Sequence, residues 1–256
     1  MLDINKIQLN NNALSNKIIA VTGAGDGIGR SIAKAYAQYG ATVILIGRTV
    51  EKLENVYDEI EQAGYPQPAI VPLDFATATE ENYNALYNSI KESIGALDGL
   101  VHNAALLGDR TSISNYKASA WNDLMAVNIT APFLLTKALL PLLKQSTQSS
   151  ILFTGSSVGY QGRAYWGAYS VSKAANENLM QVLAEELGET SKVRVNSINP
   201  GATRTEMRAT AYPAEDPMTV KTPDDLLPLY IYLMADDSVG TNGQQLDYTI
   251  LKNESL

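Results

Sequence analysis

Hydrophobic residues along this chain fall into short, nearly continuous runs rich in Val and Ile, separated by longer stretches of helical period. The runs that predict β-strands lie at 17–21, 42–46, 69–73, 97–101, 150–154 and 193–198, with a weaker one near 245–248. Strands that are continuously apolar and alternate with helices are typical of a parallel sheet buried on both faces. We therefore predict an α/β fold, a doubly wound and mainly parallel sheet with helices on both sides.

No feature of the sequence divides the chain into several domains. Because it has no linker rich in Pro, Gly or Ser, no long charge run and no internal repeat, we predict one domain over 17–256. Residues 1–16 are rich in Asn and contain no apolar run, so they are predicted to form a polar leader rather than a secretory signal. Thr222, followed by Pro223 and two aspartates, predicts the start of the last helix.

Composition and charge narrow the possible partners. The 256 residues, 45% hydrophobic and 18% charged, can build one sizeable core. With 27 acidic against 19 basic residues, the net charge of -8 opposes extended contact with nucleic acid or an anionic membrane. The longest apolar stretch, 129–143, is shorter than a membrane span. The absence of cysteine excludes disulfides. We predict a cytoplasmic protein whose partner is a small molecule.

A phenol and an amine four residues apart carry the strongest chemical signal. Tyr169 and Lys173 leave the same face if their segment is helical. A free phenol, with a pKa near ~10, can donate a proton at neutral pH but is poorly regenerated as a base. A cation about 4 to 6 Å away lowers such a pKa. Together with Ser156, at the end of an apolar run upstream, this pair predicts proton transfer at a carbonyl or alcohol oxygen.

A glycine-rich turn follows the first predicted strand and precedes an amphipathic helix that runs to about Tyr39. It reads Thr22-Gly23-Ala24-Gly25-Asp26-Gly27-Ile28-Gly29. Glycines permit positive φ and close approach of a phosphate, while the helix N-terminus offers N–H groups to an anion. The spacing departs from the usual G-x-G-x-x-G fingerprint, because positions 28 and 30 are Ile and Arg. Its place on the first strand–helix unit predicts a dinucleotide site rather than an empty glycine-rich loop.

The end of the second strand predicts which dinucleotide is bound. Arg48 stands where a cofactor without a 2′-phosphate typically meets Asp or Glu. A guanidinium can hold a phosphate through two hydrogen bonds, which favours NADP(H) over NAD(H). Asp26 argues in the other direction, and a solvated charge at a strand end is the alternative for Arg48.

Four ordered motifs resemble those of the single-domain short-chain dehydrogenase/reductase family, over the chain from Lys17 to about Tyr248. They are the glycine turn 22–29, His102-Asn103-Ala104-Ala105, Tyr169-Ser170-Val171-Ser172-Lys173 and Asn199-Pro200-Gly201. Within that family, the runs 43–48 and 161–169 are similar to the YciK-type oxidoreductases. The resemblance implies a Rossmann-type domain with a seven-stranded sheet, and an enzyme that oxidises or reduces CH–OH/C=O groups with NAD(P).

The resemblance also implies roles for individual residues. Tyr169 would be the general acid/base, Lys173 would lower its pKa and bind the nicotinamide ribose, and Ser156 would hold the substrate oxygen. Ser157 competes with Ser156, which is preferred because it lies 13 positions before Tyr169, the usual separation in the family. The implied cofactor contacts are Tyr169, Lys173, Gly23, Asp26, Gly27, Ile28, Gly29, Arg48, Asp74, Asn103, Ala104, Pro200, Gly201, Thr203 and Thr205.

Several of these contacts have structural alternatives. Asp74 is otherwise a turn residue, and Thr203 and Thr205 otherwise cap a short helix. Ala105 departs from the Gly that the family has at this place, and its methyl group is expected to crowd the cofactor side of the fourth strand.

Asn128 is predicted from local physics as well as from the resemblance. Pro132 has no N–H to give to the carbonyl of Asn128, so this carbonyl is expected to be free. The family uses the matching Asn to hold a water that connects the catalytic lysine to solvent. The alternative is a kinked helix with a capping Asn.

The only histidine and several aromatic residues are predicted to pack or to line a surface rather than to take part in catalysis. His102 is predicted to be a packing residue, and no metal site is expected, because no second histidine or acidic cluster accompanies it. Tyr160, Tyr165, Trp166 and the segment 207–218 are predicted to line either a substrate pocket or a subunit contact.

By the same resemblance, helices at 121–145 and 164–188 imply a homodimer or homotetramer; their apolar residues can equally pack on the sheet. A catalytically silent NADP(H)-binding sensor or scaffold is the alternative function, against which the complete set of Asn128, Ser156, Tyr169 and Lys173 argues. A sugar-nucleotide epimerase or dehydratase usually has a larger C-terminal domain than the 55 residues that follow Gly201 here.

Overall fold

A sheet of parallel strands forms the centre of the protein in the computed structural model, which describes residues 2–253. Within those residues the strands are Ile18–Thr22 (β1), Thr42–Gly47 (β2), Ala69–Pro72 (β3), Gly99–His102 (β4), Ser149–Thr154 (β5), Val193–Asn199 (β6) and Gln245–Asp247 (β7). They lie in the order β3-β2-β1-β4-β5-β6-β7, and every neighbouring pair is parallel. The predicted seven-stranded, doubly wound sheet is confirmed.

Helices connect the strands and cover both faces of the sheet. They are Gly27–Gln38 (α1), Val50–Gln62 (α2), Glu80–Ser93 (α3), Ala118–Met125 (α4), Ala131–Leu143 (α5), Ser157–Tyr160 (α6), Gly167–Gly188 (α7), Glu206–Ala211 (α8), Leu227–Met234 (α9) and Tyr248–Asn253 (α10). Short 3₁₀ turns occur at Ile4–Lys6, Ile113–Asn115, Pro217–Thr219, Pro223–Leu226 and Asp236–Ser238.

Burial on both faces explains why the strands are continuously apolar. In β2, Val43 and Leu45 belong to the core layer that contains α1 and α9, whereas Ile44 and Ile46 belong to the opposite layer with α3, α5 and α7. All four side chains are 0 or 1% exposed. Since successive side chains of a strand point to opposite faces, both sets must be hydrophobic.

The strand order places a cleft at one edge of the sheet. β1 pairs with β2 on one side and with β4 on the other, so the connections leave it in opposite directions. Parallel strands bring all their carboxyl ends to the same edge, and ligands bind where the order reverses. The glycine turn after β1 lies at this point.

The start of α9 follows the predicted signal, but α9 is not the last helix. Thr222 and Asp225 form a reciprocal capping box around the 3₁₀ turn Pro223–Leu226, which runs into α9. A further helix, α10, follows β7 at Tyr248–Asn253. The prediction was therefore correct for the start of this helix, and it was wrong that this helix is the last one.

Pro132 changes the helix around it. Residues Ala126–Thr130 form a π-helical segment between α4 and α5, and Pro132 lies directly after it as the second residue of α5. The helical run 118–143 is 26 residues long and, by length and composition alone, apolar enough to span a membrane, in contrast to the shorter stretch considered above. Half of its most apolar window is buried in the fold.

The N-terminal segment packs on the domain. Ile4 is 9% and Leu14 0% exposed, and Leu2, Ile7 and Leu9 contact the same core layer as α1 and α9. The Leu14 amide also donates to the carbonyl of Tyr39 at 3.0 Å. The predicted polar leader therefore contributes apolar anchors to the core. Met1 and residues 254–256 lie outside the described residues.

Replacing Leu14 with Ala tests whether this segment stabilises the domain. We expect the free energy of unfolding to fall by about 2–5 kcal/mol, because a fully buried side chain is lost and a cavity remains. Urea unfolding followed by circular dichroism measures the change. Asn11→Ala, at an exposed position three residues earlier, is the matched control. Equal midpoints for the two variants would contradict the stabilising role.

Candidate active site

The loops at the carboxyl ends of the strands enclose a cavity of about 610 Å³. Most of the residues predicted from the sequence line it: Gly23, Asp26, Gly27, Ile28, Arg48, Asp74, Asn103, Ala104, Ser156, Tyr169, Lys173, Pro200, Gly201, Thr203 and Thr205. Gly29 and Asn128 are not among the lining residues and support the wall from behind. The topology thus brings together residues that are up to 182 positions apart in the chain (23 to 205).

The glycine turn is shaped by positions that exclude a side chain. Gly23 and Gly27 have φ of 66° and 51°, in the left-handed region. A Cβ at Gly29 would overlap the carbonyl oxygen of Gly23. The Asp26 side chain caps α1 by accepting from the Gly27 amide at 2.7 Å. The following amides of the first turn have no acceptor within the helix, which makes this end suited to an anion.

Thr22, which the sequence reasoning did not single out, joins the turn to the next strand. Its hydroxyl oxygen accepts from the amides of Asn103 and Ala104 at 2.9 and 3.0 Å, and its hydroxyl donates to the Val101 carbonyl at 3.0 Å. The Asn103 amide group also donates to the carbonyl of Thr22 at 3.3 Å. Thr22 therefore fixes the ends of β1 and β4 against each other. The only signal in the sequence was its place directly before Gly23.

The cationic side chains at the end of β2 are arranged to receive a negative charge. Arg48 is exposed at the cavity, and its guanidinium has no hydrogen-bond or ion-pair partner among residues 2–253. Asp26 forms an ion pair with Lys52, whose ammonium is also 3.6 Å from Glu206. The Lys52 hydrogen bond holds the pKa of Asp26 below its ordinary value. Lys52, missed in the sequence, therefore offsets the carboxylate that argued against a phosphate.

Asp74 occupies the cavity wall and also makes a turn. Its carboxylate accepts from the amide of Ala76 at 3.0 Å, and its carbonyl accepts from the amide of Ala78 at 2.9 Å. The turn-forming alternative is thus present in the structure, and the same carboxylate lines the cavity.

Tyr169 and Lys173 lie one turn apart on α7 and face the end of β5. Lys173 is 3% exposed, its ammonium donates to the Thr154 carbonyl at 2.6 Å, and its nitrogen lies 5.6 Å from the centre of the Tyr169 ring. The hydroxyl of Ser156 lowers the pKa of the Tyr169 phenol, against the larger effect of burial. Both Ser156 and Ser157 line the cavity, but it is Ser156 that acts on the phenol.

The pKa of Tyr169 lies above its ordinary value, so the lowering expected from Lys173 does not set the net direction. Burial raises the pKa of Tyr169 to about 12, and the hydrogen bond from Ser156 opposes this only in part. Burial also lowers the pKa of Lys173 to about 8, since an ammonium loses its hydration there. The amine donates to the Thr154 carbonyl and lies over the phenol ring.

The expectation of a free Asn128 carbonyl is also wrong. The side-chain amide of Asn176, on α7, donates to this carbonyl at 2.7 Å. The Asn128 side chain accepts from the Leu106 amide at 2.7 Å and donates to the Leu106 carbonyl and the Ser172 hydroxyl at 2.9 and 3.0 Å. The carbonyl oxygen has two lone pairs, and the Asn176 amide takes one of them. Asn128 joins the loop after β4 to the residue next to Lys173.

The segment after β6 closes the cavity. Gly201 has a φ of 65°, and a Cβ there would lie 2.8 Å from the hydroxyl of Thr249. The Thr203 hydroxyl donates to the carbonyl of Gly201 at 3.3 Å, whereas Thr205 accepts from the amide of Arg208 and caps α8. The capping alternative is therefore observed for Thr205, which also lines the cavity.

Aromatic and apolar side chains form the wall beyond Tyr169. Trp166, Met207 and Tyr212 line it. The guanidinium groups of Arg208 and Arg110 lie 3.7 and 5.0 Å from the centre of the Tyr212 ring. Of the other aromatic residues considered from the sequence, Tyr160 and Tyr165 are 44 and 60% exposed and are not among the lining residues.

His102 packs at the end of β4, as predicted. It is 6% exposed, its Nε2 lies 2.8 Å from the Thr136 hydroxyl, and its ring centre is 4.7 Å from that of Phe153. Burial lowers its pKa to about 3, so the imidazole is neutral at neutral pH. Within residues 2–253 no group of three or more His, Asp or Glu side chains could hold a metal ion.

The chain belongs to the short-chain dehydrogenase family, whose family model matches residues 17–216. This confirms the resemblance carried by the four motifs. The uncharacterized oxidoreductase YciK of Escherichia coli K12 is 53% identical over 234 residues, which cover 91% of this chain and 92% of YciK.

Two similar crystal structures contain a cofactor. A short-chain dehydrogenase of Shigella flexneri 2a, complexed with NADP, has a TM-score of 0.90 and 51% identity. One from Escherichia coli CFT073, complexed with NADPH, has a TM-score of 0.91 and 51% identity. In both cases the match covers 93% of this chain and 99% of the other.

The buried imidazole predicts a pH dependence of stability. The pKa of His102 in the folded state, about 3, is below the ordinary 6.5, so its stabilisation is complete above pH 6.5 and is lost as the pH falls toward 3. Across that range the free energy of unfolding falls by up to about 1.4 kcal/mol for each pH unit, because of this one group. His102→Gln removes the group, and urea unfolding at pH 7, 6 and 5 should show a flatter dependence. Parallel curves for both proteins would contradict the burial argument.

Proposed function

We propose that this protein is an NADP(H)-dependent oxidoreductase in which Tyr169 is the general acid/base. The nicotinamide, when bound, supplies or accepts the hydride that is exchanged with a carbonyl or secondary alcohol. One observation carries the proposal. Ser156, Tyr169 and Lys173 lie in one wall of a cavity whose other wall is a glycine turn at a helix N-terminus.

The residues around the cavity fit a dinucleotide with a 2′-phosphate. Gly23 and Gly27 leave room for a diphosphate at the start of α1, and the unpaired Arg48 would hold the additional phosphate. Asp74, Asn103 and the segment 200–205 would contact the remaining parts of the cofactor. The NADP and NADPH in the two similar crystal structures support this assignment.

In the reductive direction the protein supplies one proton at a defined place. With a pKa of about 12, the Tyr169 phenol is protonated at neutral pH and can donate to the oxygen of a carbonyl as negative charge develops on it. Ser156, whose hydroxyl lowers the pKa of the phenol, would hold the same oxygen. The ammonium of Lys173, fixed by the Thr154 carbonyl, would stabilise the phenolate that remains.

Asn128 would help to return the proton. Its side chain is fixed by Leu106 and Ser172, and its carbonyl keeps one lone pair after bonding Asn176. A water bound there would link the site near Lys173 to solvent. Because the carbonyl is already oriented by Asn176, such a water would be held at low entropic cost.

The proposal extends to the class of substrate and to the assembly of the protein. The wall formed by Trp166, Met207 and Tyr212 suits a small carbonyl or alcohol with an apolar or aromatic body. Exposed Phe133 on α5 and Val171 and Val182 on α7 support a homodimer or homotetramer built through these helices. A cytoplasmic location is proposed from the sequence argument above.

Replacing Tyr169 with Phe tests the proposed acid/base. We expect kcat for NADPH-dependent reduction of a carbonyl panel to fall by about 10²–10⁴, because the proton donor is lost. NADPH affinity, measured by nicotinamide fluorescence, should change little.

Tyr165→Phe removes a phenol that is 60% exposed and is the matched control. If Tyr169→Phe turned over as fast as this control, Tyr169 would not be the proton donor. If the wild type reduced no member of the panel, the sensor or scaffold function would become the better assignment.

Replacing Arg48 with Gln tests the cofactor preference. We expect the Kd for NADPH to rise about tenfold or more and the Kd for NADH to stay nearly constant, because only NADPH has the phosphate that the guanidinium would bind. Fluorescence titration with both nucleotides measures this. Arg30→Gln, whose guanidinium is paired with Glu59, is the control. Equal loss of both affinities, or tighter NADH binding by the wild type, would overturn the role of Arg48.

A further inference from the structure

A buried carboxylate lies one helical turn beyond Lys173. Glu177 is 4% exposed on α7, at the position i+4 from the lysine and therefore on the same face. Placing a carboxylate out of water is costly unless it is paired or hydrogen-bonded. None of the roles derived above uses this group.

The surroundings of Glu177 hold its carboxylate against the carboxyl end of β5. Its Oε2 accepts from the Ser197 hydroxyl, on β6, at 2.5 Å. Its Oε1 is buried and has no hydrogen-bond partner. A Cβ at Gly155 would overlap Oε1, so the carboxylate lies directly against the residue between Thr154 and Ser156. Glycine at 155 leaves space for a charged group.

The amine of Lys173 needs a compensating charge. Its described hydrogen bond goes to a neutral carbonyl, that of Thr154. Glu177 is the carboxylate that acts on it electrostatically and raises its pKa, against the larger effect of burial. The two charged groups act on each other through space. The amine is held by its hydrogen bond to Thr154 on β5, and the carboxylate is held by its hydrogen bond from Ser197 on β6.

Resting on the function proposed above, we propose that Glu177 is a positioning residue whose buried negative charge keeps Lys173 in its ammonium form beside Tyr169. The carboxylate touches neither the cavity nor the phenol and acts only through the lysine. A neutral amine could not stabilise the phenolate that remains after proton donation.

Other titratable groups around the pair are few in the described part of the chain. Tyr169 faces Lys173 from the same helix. Tyr160, on α6, acts on the pKa of Glu177, and Asp247, on β7, acts on the pKa of Tyr160. Burial raises the pKa of Glu177 above its ordinary value, and Ser197, Lys173, Gln245 and Tyr160 act against this and favour the ionised carboxylate. Tyr160 stays neutral near pH 7, because burial raises its pKa above the ordinary 10.0, so Glu177 supplies the charge nearest to the amine.

Titration of Lys173 in Glu177→Gln tests this role without any assay of activity. Lysine labelled with ¹³C at the ε-carbon gives one NMR signal for each residue, and Lys173→Arg identifies the signal by its absence. In the wild type the midpoint should be near pH 8. In Glu177→Gln it should move down by about one pH unit or more, because a nearby opposite charge is removed.

Glu185→Gln makes the same change at an exposed position of α7 and should leave the midpoint unchanged. Ser197→Ala, which removes the hydrogen bond to the carboxylate, should move the midpoint in the same direction by less, and it replaces Glu177→Gln if that variant does not fold. An unchanged Lys173 midpoint in the folded variant would overturn the proposal. This result is independent of Tyr169→Phe, which tests the proposed function itself.

Discussion

The structure of this site depends on the burial of one amine. Lys173, on α7, is 3% exposed with its amine at the end of β5, and an ammonium there loses most of its hydration. The Thr154 carbonyl and the charge of Glu177 compensate for part of this loss, and the remainder is seen as a pKa near 8. The same low-dielectric surroundings make a charge on Lys173 effective at the neighbouring phenol. An exposed lysine would be charged more easily and would influence Tyr169 less.

The sheet supplies the precision that such an arrangement needs. Thr22 is the last residue of β1, Thr154 of β5 and Asn199 of β6, so the cavity wall is built from strand ends. Thr22 fixes β1 to the turn after β4, and Asn128 fixes the loop beyond that turn to α7. Side chains on helices and strands are held in place more accurately than side chains on loops.

Much of the fold was predictable because local and global signals agree. The strands of a sheet buried on both faces must be apolar throughout, and the glycine turn requires residues without side chains. Features that depend on distant partners were not predictable. Asn176, 48 positions from Asn128, takes the carbonyl that Pro132 was expected to leave free. The pairing of Lys52 with Asp26 likewise depends on how α2 packs against the turn.

Burial was the main quantity that sequence reasoning lacked. Spacing alone indicated that a lysine one turn from a phenol lowers its pKa, whereas the depth of the site reverses the direction for Tyr169. The N-terminal segment was predicted to be polar because it is rich in asparagine, although it also contains apolar residues such as Ile4 and Leu14. Only the packed structure shows that they reach the core.

The pH dependence of NADPH-linked carbonyl reduction by the wild-type protein tests the central claim most directly. If the buried amine controls the charge beside Tyr169, kcat should be constant at neutral pH and fall at alkaline pH with an apparent pKa near 8, the value for Lys173. A rate that stays constant up to the ordinary lysine pKa, near ~10.4, would show that the charge of this amine does not govern the reaction.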